Sequence, residues 1–472
     1  MLPARWNIKS YAILIVLFIA IGVFILFLLQ NGSTQVPAQP PASLWQGFTY
    51  GGAYKIEIDQ PRTPVDRPIA IRVTGLQPKQ PITLRARMKL RTTFESFATF
   101  VADEQGVVDV SRATPLYGTY TQPDAMGLFW SMSAIAKSDG DAARQPTDPL
   151  SVSLIAEANG TSLVTAQIQR TWASDQVPLM RQQIDRPGMV GVLYYPNKPG
   201  KYPTVILLGG SEGGMMEGSA SLLASHEYAV LALAYFGVDP LPKELIEIPL
   251  EYIASAITWL KAQPAVDANR IAVMGGSKGG ELALLVGATY PQDIHAVIAI
   301  KPHTLVYQGI SMNFQNFQNG AKSSWTLNGK PVPFATGAIT PEYIGLFVGQ
   351  PVSFRSSYEQ PLNDSAIVAQ AAIAIEKIDG PILFVSGTDD QMTPSSRLCD
   401  MAVERLKANQ FPHEYTHLKY EGAGHTFDLV YGPASDRVSG QFVIGGNKEI
   451  NARATVDAWQ KILAFLDKQL RN

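Results

Sequence analysis

The sequence predicts an all-β sandwich followed by a mostly parallel sheet flanked by helices, with one transmembrane helix ahead of both. Three observations carry the prediction. Apolar and polar side chains alternate at period two, between turn residues, over residues 53–173; from 174 to 472 fully apolar runs alternate with helical patterns; and residues 11–29 form an unbroken apolar stretch. Composition sets the outer limits. A chain of 472 residues, 46% apolar and 17% charged, is too apolar to be disordered throughout and long enough for two or three domains. With 38 basic against 40 acidic side chains it offers no electrostatic reason to bind nucleic acid. Its single cysteine, Cys399, excludes an internal disulfide and any multi-cysteine metal site.

Residues 11–29 carry no charge, and as a helix rising about 1.5 Å per residue they span about 28 Å, close to the hydrocarbon thickness of a bilayer. A cleaved signal peptide has a shorter apolar core, about 7–15 residues, and a small-residue cleavage site where this chain has Gln30-Asn31-Gly32-Ser33. An uncleaved anchor is therefore expected. Arg5 and Lys9 precede the run and the next basic residue is Lys55, so the positive-inside rule predicts a cytoplasmic N-terminus, residues 1–10, and a body outside. Residues 30–52, which include Pro37, Pro40 and Pro41, read as a semi-extended linker.

Within residues 53–173 the segments 69–73, 82–87 and 94–100 alternate as half-buried antiparallel strands do. Gly75-Leu76-Gln77-Pro78, Asp103-Glu104-Gln105-Gly106 and Asp139-Gly140-Asp141 supply turns at sandwich spacing. No catalytic cluster falls in this region. In residues 174–472 the runs 205–208, 229–233, 271–274, 296–300 and 382–385 read as buried parallel strands, and 456–466 as an amphipathic closing helix. Residues 301–380 form an insertion between late strands, with Phe314, Phe317, Trp325 and Phe334 as candidates to cover an apolar substrate.

A G-x-S-x-G turn sets serine on a tight strand-to-helix bend, and the chain contains two: Gly209-Gly210-Ser211-Glu212-Gly213 and Gly275-Gly276-Ser277-Lys278-Gly279. Context chooses the second. Good helix-forming residues come after Gly280, whereas Gly213 and Gly214 resist a helix after Ser211. Choosing Ser277 also leaves an earlier loop of free N–H groups to stabilise an oxyanion. Ser277 is therefore the predicted nucleophile, with the N–H groups of Lys278 and Ser211 facing the tetrahedral oxygen. The order serine, acid, histidine then selects the adjacent pair Asp389-Asp390 and His425, in a Gly-rich loop, and the D-x-x-x-P shape of Asp390-Gln391-Met392-Thr393-Pro394, common after this strand in hydrolases, favours Asp390. Asp389 stays open as the alternative acid. His226, His295, His303, His413 and His417 precede the acid or sit in helical or strand-like segments. No histidine pair has metal-site spacing, so neither metal nor cofactor is expected. Cys399 is predicted to be an inert buried thiol on a helix after the acid loop.

These residues carry a resemblance to the family of acyl-CoA thioesterases and bile acid-CoA:amino acid N-acyltransferases. Val73-Thr74-Gly75-Leu76-Gln77-Pro78, Ala102-Asp103-Glu104-Gln105-Gly106 and Met126-Gly127-Leu128-Phe129-Trp130 resemble its N-terminal immunoglobulin-like domain. Ala220-Ser221-Leu222-Leu223-Ala224, Leu231-Ala232-Leu233-Ala234-Tyr235-Phe236, Gly276-Ser277-Lys278-Gly279-Gly280-Glu281-Leu282 and Val456-Asp457-Ala458-Trp459 are similar to its α/β-hydrolase part. The resemblance implies a triad falling on Ser277, Asp390 and His425. It also implies hydrolysis over transfer, because members that acylate amino acids typically carry cysteine at the nucleophile position.

The expected activity is thus that of a membrane-anchored serine hydrolase cleaving acyl thioesters or related acyl esters. An acyltransferase using an amine or alcohol acceptor is the first alternative, and a non-catalytic membrane-tethered binding protein the second. The topology reading departs from the family, since free coenzyme A esters are not expected outside the cell. Either the body is cytoplasmic or its substrate is another ester or thioester.

Overall fold

The computed structural model describes residues 40–90, 92–137, 145–311 and 320–471. The expected anchor at 11–29, the turn at 139–141 and the side chains of Phe314 and Phe317 lie outside them. Among the described residues no helix is long and apolar enough to cross a membrane.

The first part of the chain forms two β-sheets sharing one core. Strands Lys55–Ile58, Ile71–Thr74 and Val108–Asp109 make the smaller sheet; Pro81–Lys89, Thr92–Val101, Leu150–Ala158 and Thr161–Thr171 are the long members of the larger. Ile71 and Val73 of one sheet and Ile82, Leu84, Ala86 and Met88 of the other belong to the same buried cluster. The half-buried reading of 82–87 needs correction. Thr83 and Arg85 on the other face are buried as well. Their polar atoms are satisfied across strands: Arg85 donates to Glu95 at 2.6 Å and to Glu157 at 2.5 Å, and the Thr83 and Thr99 hydroxyls meet at 2.7 Å. A charge can be buried on a strand when its counter-charges sit on both neighbours.

The second part is an eight-stranded sheet: β1 (Leu179–Gln183), β2 (Val190–Pro196), β3 (Tyr202–Leu208), β4 (Ala229–Ala234), β5 (Val266–Gly276), β6 (Ala296–Ile300), β7 (Ile382–Gly387) and β8 (Tyr415–Tyr420). Its order is β1-β2-β4-β3-β5-β6-β7-β8. β2 runs antiparallel to β1 and β4, and every later pairing is parallel. The runs read as buried strands are strands because both faces are covered by helices: α1 (Glu217–Ala224), α2 (Leu250–Lys261), α3 (Lys278–Thr289), α4 (Ser395–Ala408) and α5 (Lys448–Leu470). All six residues of β4 and all five of β6 are buried. This is the α/β-hydrolase arrangement, and the loops leaving β3, β5, β7 and β8 open at the same sheet edge.

Asp66 is one of several points at which the two parts meet, beside the Lys448 ammonium on the Met132 carbonyl and the Ala434 N–H on the Trp130 carbonyl. The Asp66 carboxylate accepts from the Trp459 indole of α5 at 3.1 Å and contacts the His226 ring, just after α1, at 2.6 Å. Burial pushes this carboxyl up, but His226, Trp459 and Arg67 outweigh that and hold it below the ordinary range. Asp66→Ala removes the acceptor from two half-sequestered donors and should lower the unfolding free energy by about 1–3 kcal/mol in a urea titration. An unchanged midpoint would show that Asp66 does not join the parts.

Candidate active site

β5 ends and α3 begins within the second G-x-S-x-G turn. Ser277 joins them with φ 53° and ψ −119°, a backbone conformation that a side chain disfavours. Steric fit explains which copy of the motif forms the turn. A Cβ at Gly275 would collide with the Gly279 carbonyl, and one at Gly279 with the carbonyls of Leu208 and Gly209, so both flanking positions require glycine. At Gly209, the first glycine of the other copy, a Cβ would meet nothing closer than 3.5 Å.

The turn presents Ser277 Oγ to His425 Nε2 at 3.0 Å, and His425 Nδ1 lies 2.9 and 3.0 Å from the two Asp390 oxygens. An ionised carboxylate only accepts, so Nδ1 carries the hydrogen and Nε2 is left to accept from the serine hydroxyl. Asp390 is wholly buried and well supplied with donors. Met392 and Thr393 N–H groups donate to one oxygen at 3.0 and 2.9 Å, and Ser395 Oγ donates to the other at 2.6 Å. Burial pushes its carboxyl up; the His425 ring, Ser395 and Thr393 overcome that and hold it below the usual carboxylate range. Asp389 faces the other way, accepting from Arg437 at 2.5 Å and the Gly446 amide at 2.9 Å. His425 therefore meets Asp390 and not its neighbour.

The loop after β3 runs alongside this turn. A Cβ at Gly210 would lie 3.4 Å from that of Ser277. The Gly210 N–H donates to Glu212 at 2.9 Å, and Tyr235 OH donates to the Gly209 carbonyl at 2.6 Å, which fixes the loop. Ser211 N–H has no acceptor among the described residues, and Lys278, as the first residue of α3, has an N–H with no intrahelical partner. Two free donors thus flank the serine.

Beneath α3 lies a buried polar cluster that sequence reasoning missed. Lys278 Nζ donates to Glu281 at 2.9 Å and to Ser324 Oγ at 2.8 Å; Trp325 Nε1 donates to Glu281 at 2.7 Å, and His303 Nδ1 lies 2.9 Å from the same carboxylate. Burial pushes the Glu281 carboxyl up, and Lys278 and His303 hold it below its ordinary range. Trp325, expected as cover for an apolar substrate, is instead wholly enclosed and tied to the helix bearing the serine. Phe334 is half-buried against the same core. Cys399 lies on α4, buried, and burial pushes its thiol well above the ordinary range.

A second hydrogen-bonded series also exists: Ser386 Oγ to His417 Nε2 at 2.7 Å and His417 Nδ1 to Asp400 at 3.2 Å. Ser386 is wholly buried inside β7, so no substrate reaches it. Among the described residues no group of three His, Cys, Asp or Glu side chains is placed to hold a metal ion.

Residues 248–472 match the family model described as BAAT / Acyl-CoA thioester hydrolase C terminal, and residues 66–184 that described as Acyl-CoA thioester hydrolase/BAAT N-terminal region. Acyl-coenzyme A thioesterase 6 of Homo sapiens is 32% identical over 423 residues, covering 86% of this chain and 94% of that protein. The chain belongs to the acyl-CoA thioesterase and bile acid-CoA:amino acid N-acyltransferase family. Within the family it is also similar to acyl-coenzyme A amino acid N-acyltransferase 1 of Mus musculus, at 30% identity over 86% of this chain and 95% of that protein. Among solved structures, the hyperthermophilic esterase of Pyrobaculum calidifontis aligns with 62% of this chain and 83% of its own, at 16% identity and a TM-score of 0.38.

Ser395 stands directly after the D-x-x-x-P segment as the first residue of α4, where a serine reads as a helix-start signal, and that was its only trace in the sequence. Ser395→Ala withdraws a donor from the charged form of Asp390 and so raises that carboxyl's pKa. Turnover should fall roughly tenfold with KM little changed, and the loss of activity on acidification should begin at higher pH. A pH–rate profile identical to wild type would show that Ser395 does not hold the acid. Ser386→Ala should leave the rate within about twofold.

Proposed function

We propose that this chain is a serine hydrolase of acyl thioesters or related acyl esters, acting through an acyl-Ser277 intermediate. The single observation that supports it is the unbroken contact from Ser277 Oγ through His425 to Asp390, beside two unengaged backbone N–H groups. Ser277 Oγ attacks the acyl carbonyl while His425 Nε2 takes its proton, and Asp390 stabilises the imidazolium. The oxyanion of the tetrahedral intermediate accepts from Lys278 and Ser211 N–H. Collapse expels the thiolate or alkoxide, which takes the proton from His425. Water then repeats the sequence on the acyl-serine and releases the acid. No metal or cofactor enters.

A serine rather than a cysteine at this position favours water as acceptor. The similarity to an N-acyltransferase supports a second reading, transfer to an amine. Product analysis with competing amines separates the two, since a hydrolase yields free acid alone. The finer architecture belongs to the same reading: residues 53–173 as an immunoglobulin-like domain, 174–472 as the catalytic domain, and 11–29 as an anchor with residues 1–10 cytoplasmic and the body outside. Fusion reporters on the C-terminus test that topology, and a cytoplasmic result restores coenzyme A thioesters as leading substrates.

Ser277→Ala should lower turnover of acyl-CoA or p-nitrophenyl esters by about 10⁴–10⁶-fold, His425→Ala similarly, and Cys399→Ala little. Retention of most of the wild-type rate in the Ser277 variant would end this assignment.

A further inference from the structure

Five bulky apolar side chains are left uncovered on two segments, 339–348 and 438–442. Ile339, Ile344, Val348, Val438 and Phe442 are 92%, 62%, 63%, 45% and 42% exposed. Ile344 and Val348 stand one turn apart on the helix Ile344–Val348, hence on one face. The intervening Gly345 sits so close to Val352 that a Cβ would lie 2.8 Å from its side chain. Val352 bridges to Phe442, whose strand pairs with Val438–Ser439. Phe354 lies between Tyr343 and Phe442, with ring centroids 5.2 and 5.8 Å apart.

This assembly is tied to the loops of the acid and base. Phe442–Val443 continues into Ile444, whose carbonyl accepts the His425 N–H at 2.8 Å and the Gln391 N–H at 3.4 Å. Arg355 donates to the Thr388 and Asp390 carbonyls, both at 3.1 Å. Ile444, two residues after Phe442, thus joins the rim to His425, and Arg355, three residues after Val352, joins it to the Asp390 loop.

We propose that this rim rests on the surface of a lipid bilayer and that the site takes its acyl substrate from the lipid phase, as an amphiphilic ester or thioester. The inference rests on the acyl-serine reading above and names its substrate class. Two features point to lipid over a protein partner. The chain carries the apolar run 11–29, and of the expected linker 30–52 residues 40–52 are packed on the body, with Trp45 buried and Tyr50 OH donating to the Pro81 carbonyl at 3.3 Å; the ten residues 30–39, at about 3.3–3.6 Å each, therefore keep the body within about 35 Å of a membrane that holds the run. The rim is apolar without a cluster of free basic side chains: Glu342 is acidic, and Arg437 is paired with Asp389. It therefore suits a zwitterionic surface rather than an anionic partner.

The test uses the full chain in phosphatidylcholine vesicles. Ile344→Cys, coupled to an environment-sensitive fluorophore, carries a single label because Cys399 is buried. Its emission should shift to the blue and be quenched by bromine-tagged acyl chains, while the same label at Leu116→Cys, on the first part of the chain, stays aqueous. The double variant Ile344→Ser, Val348→Ser should lose about tenfold or more in kcat/KM for a long-chain ester carried in vesicles and keep the wild-type rate on p-nitrophenyl acetate in water. An aqueous label at Ile344, or equal loss on both substrates, overturns the proposal. A blue shift that needs no lipid and grows with protein concentration also overturns it, in favour of a second copy of the chain. If Ser277→Ala retains activity, the acyl-serine reading fails while the fluorescence still reports on the rim.

Discussion

The peptide at Ser277 is held where an ordinary residue would not rest, and the geometry of the site is set by the groups that hold it. Strain of this kind costs on the order of 1–3 kcal/mol and persists only where neighbours over-determine it. Here the neighbours are close and polar. Ile300 O accepts the Ser277 N–H at 2.8 Å, Glu281 N–H donates to the Ser277 carbonyl at 3.0 Å, and the flanking glycines bring α3 against the end of β3. Glu281 then binds that first helical turn to Ser324 and Trp325 through shared contacts with Lys278. The serine is raised above the sheet because its own helical turn and three segments distant in sequence, the end of β3, Ile300 and Ser324–Trp325, leave it no other position.

Asp390 and His425 are fixed by a different means. Their loops have little regular structure, and hydrogen bonds to individual backbone groups replace it. Asp390 draws the amides of Met392 and Thr393 onto one oxygen, so its orientation is set by its own loop before His425 arrives. His425 is pinned through its N–H to Ile444, and the same carbonyl receives Gln391 from the acid loop. One carbonyl thereby couples the two loops. This is why their relative position is defined although the residues are 35 apart in sequence.

How far the sequence discloses this depends on whether a residue's partner is local. Parallel strands under two layers of helix need apolar side chains on both faces, so runs such as 229–233 and 296–300 announce themselves. The two G-x-S-x-G copies differ in the residues on their C-terminal side, and helix propensity is also a local property. Arg85 is another matter, because Glu157 that permits its burial is 72 residues away and an alternating pattern reads such a charge as exposed. Trp325 fails similarly: an indole in a Gly- and Asn-rich insertion looks available, and only the carboxylate of Glu281, 44 residues earlier, makes it interior. Chain order pointed to the pair Asp389-Asp390 and to His425 where contact could not be read at all, and the D-x-x-x-P shape favoured Asp390.

The second Ser-His-Asp series shows that chain order carried more than convenience. Ser386 lies closer to its histidine, at 2.7 Å, than Ser277 does to His425 at 3.0 Å. By pairwise distance it is the better candidate. Yet Ser386 sits inside a regular strand, its hydroxyl also engaged by Ser396 at 3.0 Å, with no helix opening after it and no free N–H pair to receive a developing oxyanion. Its histidine leans on Asp400, which also pairs with Lys419 at 2.7 Å and so is not committed to the ring. A hydroxyl, an imidazole and a carboxylate in series are a common way to satisfy buried polar groups. What separates chemistry from packing in this fold is the strained turn that lifts the hydroxyl out of the sheet and the empty donors waiting beside it.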